Sequence, residues 1–303
     1  MNRREFLELA TMSTGAALAG GCACPFCGPR ERVPYGDTIG DRLWMWGHHR
    51  DSFTESNVKG DYGLPNGPRI EMAAACREMD IPGCFVVRWL DLPKAADVPD
   101  YMRQFAGTRR VGFSITDSAK GTFDEKVALG FACADRMPNL SHFVMDDYWC
   151  GNGRYKQPLA KIEKVKASLE DRGMKLAVVL YSDQNGLKDE YREITDLCDE
   201  VTFWFWHGKN TGEIEARVAR LHEIAGDDKP VLLGQYMWDF GAKKPMSGLV
   251  MEKQLEQTSR LLASRAVSGV IFHCTPLVDM NLDAVRVSRE WIRENAGKAW
   301  GTR

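Results

Sequence analysis

The sequence has no long block of charge of one sign, and its 40 basic and 42 acidic residues leave a formal net charge of −2. Nucleic-acid-binding domains carry a basic patch or stripe, so a nucleic acid is not expected as the partner. A Gly-rich phosphate loop after the first apolar run is also absent, which disfavours a dinucleotide-binding sheet. A small molecule or an oligosaccharide is therefore the expected ligand.

Dense and regular cysteine spacing is missing as well. Three of the nine cysteines lie near the start, and six are scattered: Cys76, Cys84, Cys133, Cys150, Cys198 and Cys274. This pattern excludes a disulfide scaffold and favours buried small side chains. The first three cysteines have no second cluster or histidine nearby, which argues against a zinc site. No metal and no cofactor is predicted.

Residues 1–22 have the composition of a targeting segment. Arg3-Arg4 precedes Phe6-Leu7 and a small-residue apolar stretch, 9–21, that is too short for a bilayer span of about 20 residues. The arginine pair resembles the twin-arginine signal for export of folded proteins, and Ala19-Gly20-Gly21-Cys22 resembles a bacterial lipoprotein processing site. The resemblance implies an exported protein, periplasmic or attached to a membrane by a lipid on Cys22. An ordinary helical N-terminus is the alternative.

Eight short apolar runs alternate with stretches of helical period after a linker at 23–42 that holds three prolines and three glycines. The runs are Leu43–Gly47, Cys84–Trp89, Arg110–Ile115, His142–Met145, Leu176–Tyr181, Val201–Trp206, Val231–Met237 and Val270–Cys274. Near-continuous apolar runs are typical of parallel strands buried on both faces. Eight β/α units predict a (β/α)8 TIM barrel over residues 43–303, with an open doubly wound sheet as the alternative.

The expected helices carry apolar stripes with spacings of three or four residues. One is formed by Leu159, Ile162, Val165 and Leu169, another by Ile214, Val218, Leu221 and Ala225, and a third by Leu282, Val285 and Ile292. This period is typical of amphipathic helices that pack against a sheet.

The strand ends predict a carbohydrate pocket, because active sites of such barrels lie at the C-terminal ends of the strands. Aromatic faces stack on the C–H faces of sugars, and polar side chains bind the hydroxyls. The predicted substrate-binding residues are Trp46, His48, Arg88, Trp89, Trp149, Tyr181, Trp206, His207, Gln235, Tyr236, Trp238 and His273. Trp44, Trp204 and Trp291 are expected to be packing residues instead.

Strand-end acids are nearly all aspartates, and strands four and seven lack the glutamate pair of the largest group of retaining barrel glycosidases. The segment Phe143–Trp149, with Asp146-Asp147-Tyr148-Trp149, resembles a strand and Asp-Asp-x-Trp segment of α-galactosidase-like barrel hydrolases. The resemblance covers seven residues and implies sugar-binding aspartates.

Glycoside hydrolysis needs one protonated and one ionised carboxyl group. We predict Asp146 as the ionised group, with Asp147 holding a hydroxyl or exchanging roles with it, because adjacent strand residues point to opposite sides. Asp239 is preferred to Asp183 as the acid, and turn capping is the alternative role of both.

Three functions are compatible with this pattern. The first is a glycoside hydrolase or closely related carbohydrate-processing enzyme. The second is a metal-dependent sugar or uronate lyase or isomerase, in which histidines and Asp146 or Asp147 bind the metal and Arg88 binds a carboxylate. The third is a non-catalytic glycan-binding lipoprotein.

Overall fold

The structure is a computed structural model that describes residues 31–67, 69–149, 153–182 and 188–301. Contacts divide the chain into two units, Met1–Arg30 and Glu31–Arg303, and every described residue belongs to the second. The predicted signal, the cysteine at position 22 and Asp183 lie outside the described residues.

Eight parallel strands form a closed barrel in which β1 pairs with both β2 and β10. The barrel strands are β1 Leu43–Gly47, β2 Gly83–Val86, β3 Arg110–Thr116, β4 Leu140–Met145, β5 Lys175–Tyr181, β6 Glu200–Trp204, β7 Val231–Tyr236 and β10 Gly269–His273. A separate antiparallel pair, β8 Trp238–Asp239 and β9 Lys244–Pro245, follows β7. The predicted TIM barrel is confirmed.

Helices follow the strands along the chain. The α-helices in the described ranges are α1 Ser52–Lys59, α2 Met72–Glu78, α3 Val98–Tyr101, α4 Phe123–Ala134, α5 Leu159–Glu170, α6 Arg192–Leu197, α7 Ile214–Ala225, α8 Gly248–Ala263 and α9 Asp283–Asn295. Short 3-10 helices are Gly40–Arg42, Trp89–Asp91, Met102–Phe105, Asp189–Tyr191, Gly208–Glu213 and Thr275–Leu277. Across these ranges, none of the helices is long and apolar enough to cross a membrane.

The barrel interior packs large aromatic rings against glycines on neighbouring strands. Trp44 stacks on Phe85 with ring centroids 4.4 Å apart. A Cβ atom on Gly112 would lie 2.2 Å from Phe85, and one on Gly234 would lie 2.0 Å from Trp204. Because protein interiors are close-packed, the glycines provide the volume that the rings occupy.

Charged groups fill the N-terminal end of the barrel. Glu200, fully buried, accepts hydrogen bonds from Lys175 Nζ at 3.0 Å and Tyr35 Oη at 3.2 Å, and His142 Nε2 lies 3.5 Å away. Burial alone would raise the pKa of Glu200, but the Lys175 ammonium and His142 lower it to about 2. The carboxylate is therefore ionised and paired.

The last part of the predicted linker packs against this end of the barrel. Arg32 donates hydrogen bonds to three backbone carbonyls, those of Ala134, Met137 and Pro138. Ile39 N donates to Lys298 O at 2.9 Å. Residues 31–42 are thus part of the folded unit.

Candidate active site

A cavity of about 290 Å³ opens at the C-terminal end of the barrel. Its polar lining comes from Asp146 and Asp147 after β4, His48 after β1 and His273 at the end of β10. Parallel strands present their C-terminal ends on one side of the barrel, which is why residues more than two hundred positions apart meet here.

Aromatic rings form most of the wall. Those from the strand ends are Trp46, Trp89, Tyr181, Trp204, Trp206 and Tyr236. Two more come from loops, Tyr62 and Phe240. Trp204, which the sequence assigned to packing, is almost fully buried and forms the floor of the cavity together with Trp46, at a centroid distance of 5.1 Å.

The neighbouring carboxyl groups of Asp146 and Asp147 both line the cavity, although adjacent residues of a strand point to opposite sides. The strand ends at Met145, and Asp147 adopts φ +50°, in the left-handed region that aspartate tolerates better than most residues. This local turn brings the second side chain to the same side as the first.

Asp146 lies in an environment that favours its neutral form. Burial, followed by the nearby carboxylates of Asp147 and Asp117, raises its pKa well above the usual value. Lys126 opposes this shift from a distance, but its Nζ is held by Asp117 Oδ1 at 2.7 Å in a buried ion pair. A protonated carboxyl group is suited to general acid catalysis, so this environment favours the reverse of the role predicted for Asp146.

Asp147 has a hydrogen-bond donor beside its carboxyl group. Its Oδ1 accepts a hydrogen bond of 2.8 Å from Tyr181 Oη at the end of β5. Hydrogen bonds donated to a carboxylate stabilise its charged form. The two neighbouring carboxyl groups therefore have different surroundings, as in other two-carboxyl sites.

The two histidines of the cavity are uncharged at neutral pH. Burial lowers the pKa of His48 to about 3, and burial together with the proximity of His48 lowers that of His273 well below its usual value. Their Nε2 atoms lie 3.3 Å apart, so the N–H of one neutral ring donates a hydrogen bond to the nitrogen of the other. Both are buried in the wall beside Trp204 and Trp89.

These histidines and Cys274 form the closest group of metal-ligand types in the described ranges, with donor atoms within 4.8 Å of one another. Burial keeps both imidazoles in the neutral form and raises the pKa of the Cys274 thiol. Neither Asp146 nor Asp147 belongs to this group.

Nine of the sixteen predicted site residues line the cavity, six others lie elsewhere, and Asp183 is outside the described residues. Arg88 donates to Asp91 Oδ1 and to Pro93 O, both at 3.0 Å. Gln235 alternates with the inward residues Gly234 and Tyr236, so it faces α8 and donates to Thr258 Oγ1 at 3.0 Å. These side chains do not reach the ligand space.

Trp238 contributes to the cavity indirectly, through the loop that carries Tyr62. Its indole N–H donates to Tyr62 O at 3.1 Å, so it fixes the loop that carries the Tyr62 ring. Like Arg88 and Gln235, it lies behind the cavity wall.

Asp239, the predicted acid, accepts a hydrogen bond from Ala242 N at 2.9 Å in the β8–β9 turn and does not line the cavity. His207 packs against Gly241. Trp149 lines a separate cavity of about 350 Å³, where Lys156 Nζ lies 3.5 Å from the centroid of its ring.

Tyr62 and Phe240 were not predicted from the sequence. Phe240 directly follows β8, so its position next to the aromatic segment Tyr236-Met237-Trp238 could have indicated that it lies at the cavity. Tyr62 lies in the loop between α1 and α2, where no periodicity indicates which side chains turn inward.

No family model matches the sequence, and no curated protein matches it. Among solved structures, a mutant tryptophan synthase α-subunit from the hyperthermophile Pyrococcus furiosus is 11% identical, with 86% of this chain and 98% of that chain covered and a TM-score of 0.49. The spore cortex-lytic enzyme SleL of Bacillus megaterium QM B1551 is 8% identical, with 82% and 73% covered and a TM-score of 0.47. A glycoside hydrolase family 17 β-1,3-glucanosyltransferase from Rhizomucor miehei is 11% identical, with 67% and 79% covered and a TM-score of 0.47. Likeness at this level does not bear on activity, because barrels of this kind support many chemistries.

Proposed function

We propose that the protein is a glycoside hydrolase in which Asp146 is the general acid and Asp147 the ionised carboxylate. The observation that carries the proposal is the opening of both carboxyl groups into one aromatic-walled cavity at the C-terminal end of the barrel. Aromatic rings and paired carboxyl groups are what sugar binding and glycosidic bond cleavage require.

In the proposed reaction a sugar ring packs against the cavity wall, with its glycosidic oxygen near Asp146. The protonated Asp146 donates its proton to that oxygen as the C–O bond breaks. The Asp147 carboxylate, held by Tyr181, faces the positive charge that develops at the anomeric carbon. Water then adds to that carbon and returns a proton to Asp146, which completes the hydrolysis. The neutral His48 and His273, paired through their Nε2 atoms, add ring surface to the wall without adding charge.

The test is release of reducing sugar from a panel of glycans by the wild type and by Asp146→Asn and Asp147→Asn. Each substitution should lower kcat by about 10²-fold or more, since general acid catalysis contributes about 10²–10⁴-fold. Asp196→Asn, an exposed aspartate on α6, is the matched control and should keep full activity. Asp239→Asn, on the hairpin turn, tests the acid predicted from the sequence separately from Asp146.

A substrate that is cleaved equally well by Asp146→Asn and the wild type would refute the proposed roles. Glycan binding without turnover, unchanged by Asp146→Asn, would instead support a non-catalytic binding protein. Activity that depends on added metal would favour the lyase or isomerase alternative.

The proposal includes export, because of the Arg3-Arg4 motif and the cysteine that follows it at position 22. The enzyme would then act on glycans outside the cytoplasm, in the periplasm or at a membrane surface.

A further inference from the structure

The lining of the active-site cavity carries acidic groups without basic ones. Its twelve lining residues include Asp146 and Asp147 and contain no lysine or arginine. The lining also contains the imidazoles of His48 and His273, which burial keeps neutral. The described cavity wall is therefore neutral to negative in charge.

Three basic side chains close to these elements are engaged elsewhere. Arg88 is bound to Asp91 and Pro93 O, and Lys126 to Asp117. Lys156 lies over the ring of Trp149, in the separate cavity. A substrate carboxylate or phosphate would thus meet acids and ring faces in this cavity, with no cation from these positions to balance it.

Four rings of the wall form an aromatic corner, made of Tyr62, Trp206, Tyr236 and Phe240. Neighbouring ring centroids are 5.3–5.9 Å apart. Trp206 meets Tyr62 at 76° and Tyr236 at 85°, and Phe240 meets Tyr62 at 74°. These rings pack edge-to-face against one another and line the cavity together, and the negative π surface that they present there attracts organic cations.

Hydrogen-bonding groups in the wall also favour a cation over a fully neutral sugar. Among the described lining residues there is no amide side chain and no guanidinium, which are common partners of sugar hydroxyls. The strongest acceptors of this lining are the two carboxyl groups, and its remaining polar atoms are the hydroxyls of Tyr62, Tyr181 and Tyr236 and the ring nitrogens of its tryptophans and histidines. Carboxylates and aromatic π faces both attract positively charged groups.

We infer that the substrate presents a protonated amine to the aromatic corner and the Asp147 carboxylate, so that the glycan is built from an amino sugar rather than from neutral sugars or uronic acids. This inference rests on the proposed function for the reaction, but the charge preference is measurable without turnover.

The first experiment measures binding of three monosaccharides that differ in charge, glucosamine, glucose and glucuronate, to the purified full chain by calorimetry or tryptophan fluorescence. At about pH 6 the amine is protonated, being below the pKa usual for amines. Glucosamine should bind about tenfold more tightly than glucose, as a cation–π contact of about 1–2 kcal/mol gives, and glucuronate should bind most weakly. Equal affinity for glucose and glucosamine, or tighter binding of glucuronate, would overturn the inference.

A variant separates cation recognition from simple apolar contact. Phe240→Leu keeps an apolar side chain but removes one π face of the aromatic corner, so it should weaken glucosamine binding more than glucose binding. Phe131→Leu, on α4 and packed against Phe143 outside the cavity, is the matched control and should change neither affinity. Parallel loss of both ligands in Phe240→Leu would contradict the proposed cation contact.

The two proposals fail in different ways. Preferential binding of glucosamine with no cleavage of any amino-sugar glycan would leave the charge preference standing and remove the hydrolase. Cleavage of a neutral or anionic glycan that is abolished in Asp146→Asn would leave the hydrolase standing and remove the amino-sugar inference.

Discussion

Asp147 shows how the conformation of one residue decides which side chains meet. Strand alternation predicts that only one of two adjacent aspartates faces the ligand, yet the turn at Asp147 directs both into the cavity. Two carboxyl groups so close cannot both ionise easily. The left-handed backbone at this residue thus helps to give two identical side chains the different surroundings that the proposed roles of acid and carboxylate require.

Asp146 is expected to lower the free energy of unfolding at neutral pH. A carboxyl group whose pKa is raised by folding stabilises the native state below its unfolded pKa and loses that contribution as pH rises through the raised value. Asp146→Asn removes this loss while keeping an acceptor oxygen. The thermal midpoint of the variant should therefore exceed that of the wild type at about pH 8, with a smaller gain at about pH 4.

Thermal melts at both pH values check this expectation. A difference that does not change with pH would show that the effect of the substitution is not electrostatic. The control Asp196→Asn should match the wild type at both values, because its side chain is exposed.

Single residues were the least predictable from the sequence. Trp46, Trp206 and Tyr236 could be placed at the cavity because strand ends converge in a barrel. Gln235 could not be excluded, because a shift of one residue in the strand reverses its direction. Arg88 follows the end of β2, and its contacts with Asp91 and Pro93 depend on loop geometry that no periodicity encodes.

At the scale of secondary-structure elements, strands and helices were predictable where their periods are clear. The predicted run Leu43–Gly47 matches β1, whereas Val201–Trp206 extends two residues past β6, since aromatic residues continue beyond the last strand hydrogen bond. The stripe of Ile214, Val218 and Leu221 is fully buried on α7. Burial of one face thus explains both the pattern and the success of the prediction.

Pairing of β6 with β7 depends on a glycine that the sequence pattern alone does not explain. A Cβ atom on Gly234 would clash with the ring of Trp204, which forms the cavity floor. Gly234→Ala should therefore destabilise the fold by about 1–3 kcal/mol through overpacking and weaken ligand binding by displacing Trp204.

Urea unfolding and ligand titration measure the two effects. Gly212→Ala is the matched control, because a Cβ atom there has no neighbour within 4 Å and its φ is not positive. Unchanged stability in Gly234→Ala would mean that the tryptophan can shift without cost.

At the scale of the whole molecule, the N-terminal end of the barrel is held by charge. Glu200→Gln removes the carboxylate that Lys175 and Tyr35 contact. We expect a loss of about 3 kcal/mol near neutral pH, the lower range for breaking a buried ion pair, because Lys175 also contacts Glu31 and remains partly exposed.

The pH dependence of this loss has a defined sign. A pKa lowered from 4.5 to about 2 means that the stabilisation is present above the unfolded pKa and disappears as pH falls between these values. Urea midpoints of Glu200→Gln and the wild type should converge in that window. Glu163→Gln, exposed on α5, should follow the wild type throughout.

Composition predicted a linker up to residue 42, and proline and glycine content cannot reveal that a segment packs. Arg32 and Tyr35 make specific contacts at the barrel's N-terminal end, with carbonyls and a carboxylate supplied by distant parts of the chain. Such contacts depend on the completed barrel, so they are invisible in a local pattern.

The filled N-terminal end of the barrel has a consequence for how ligands reach the cavity. Trp204 lies beneath the cavity and the ion pair of Glu200 with Lys175 lies at the N-terminal end, so the described cavity opens at the C-terminal end of the strands. Under the proposed function, a sugar leaves by the route through which it entered, so release of the product must precede entry of the next substrate.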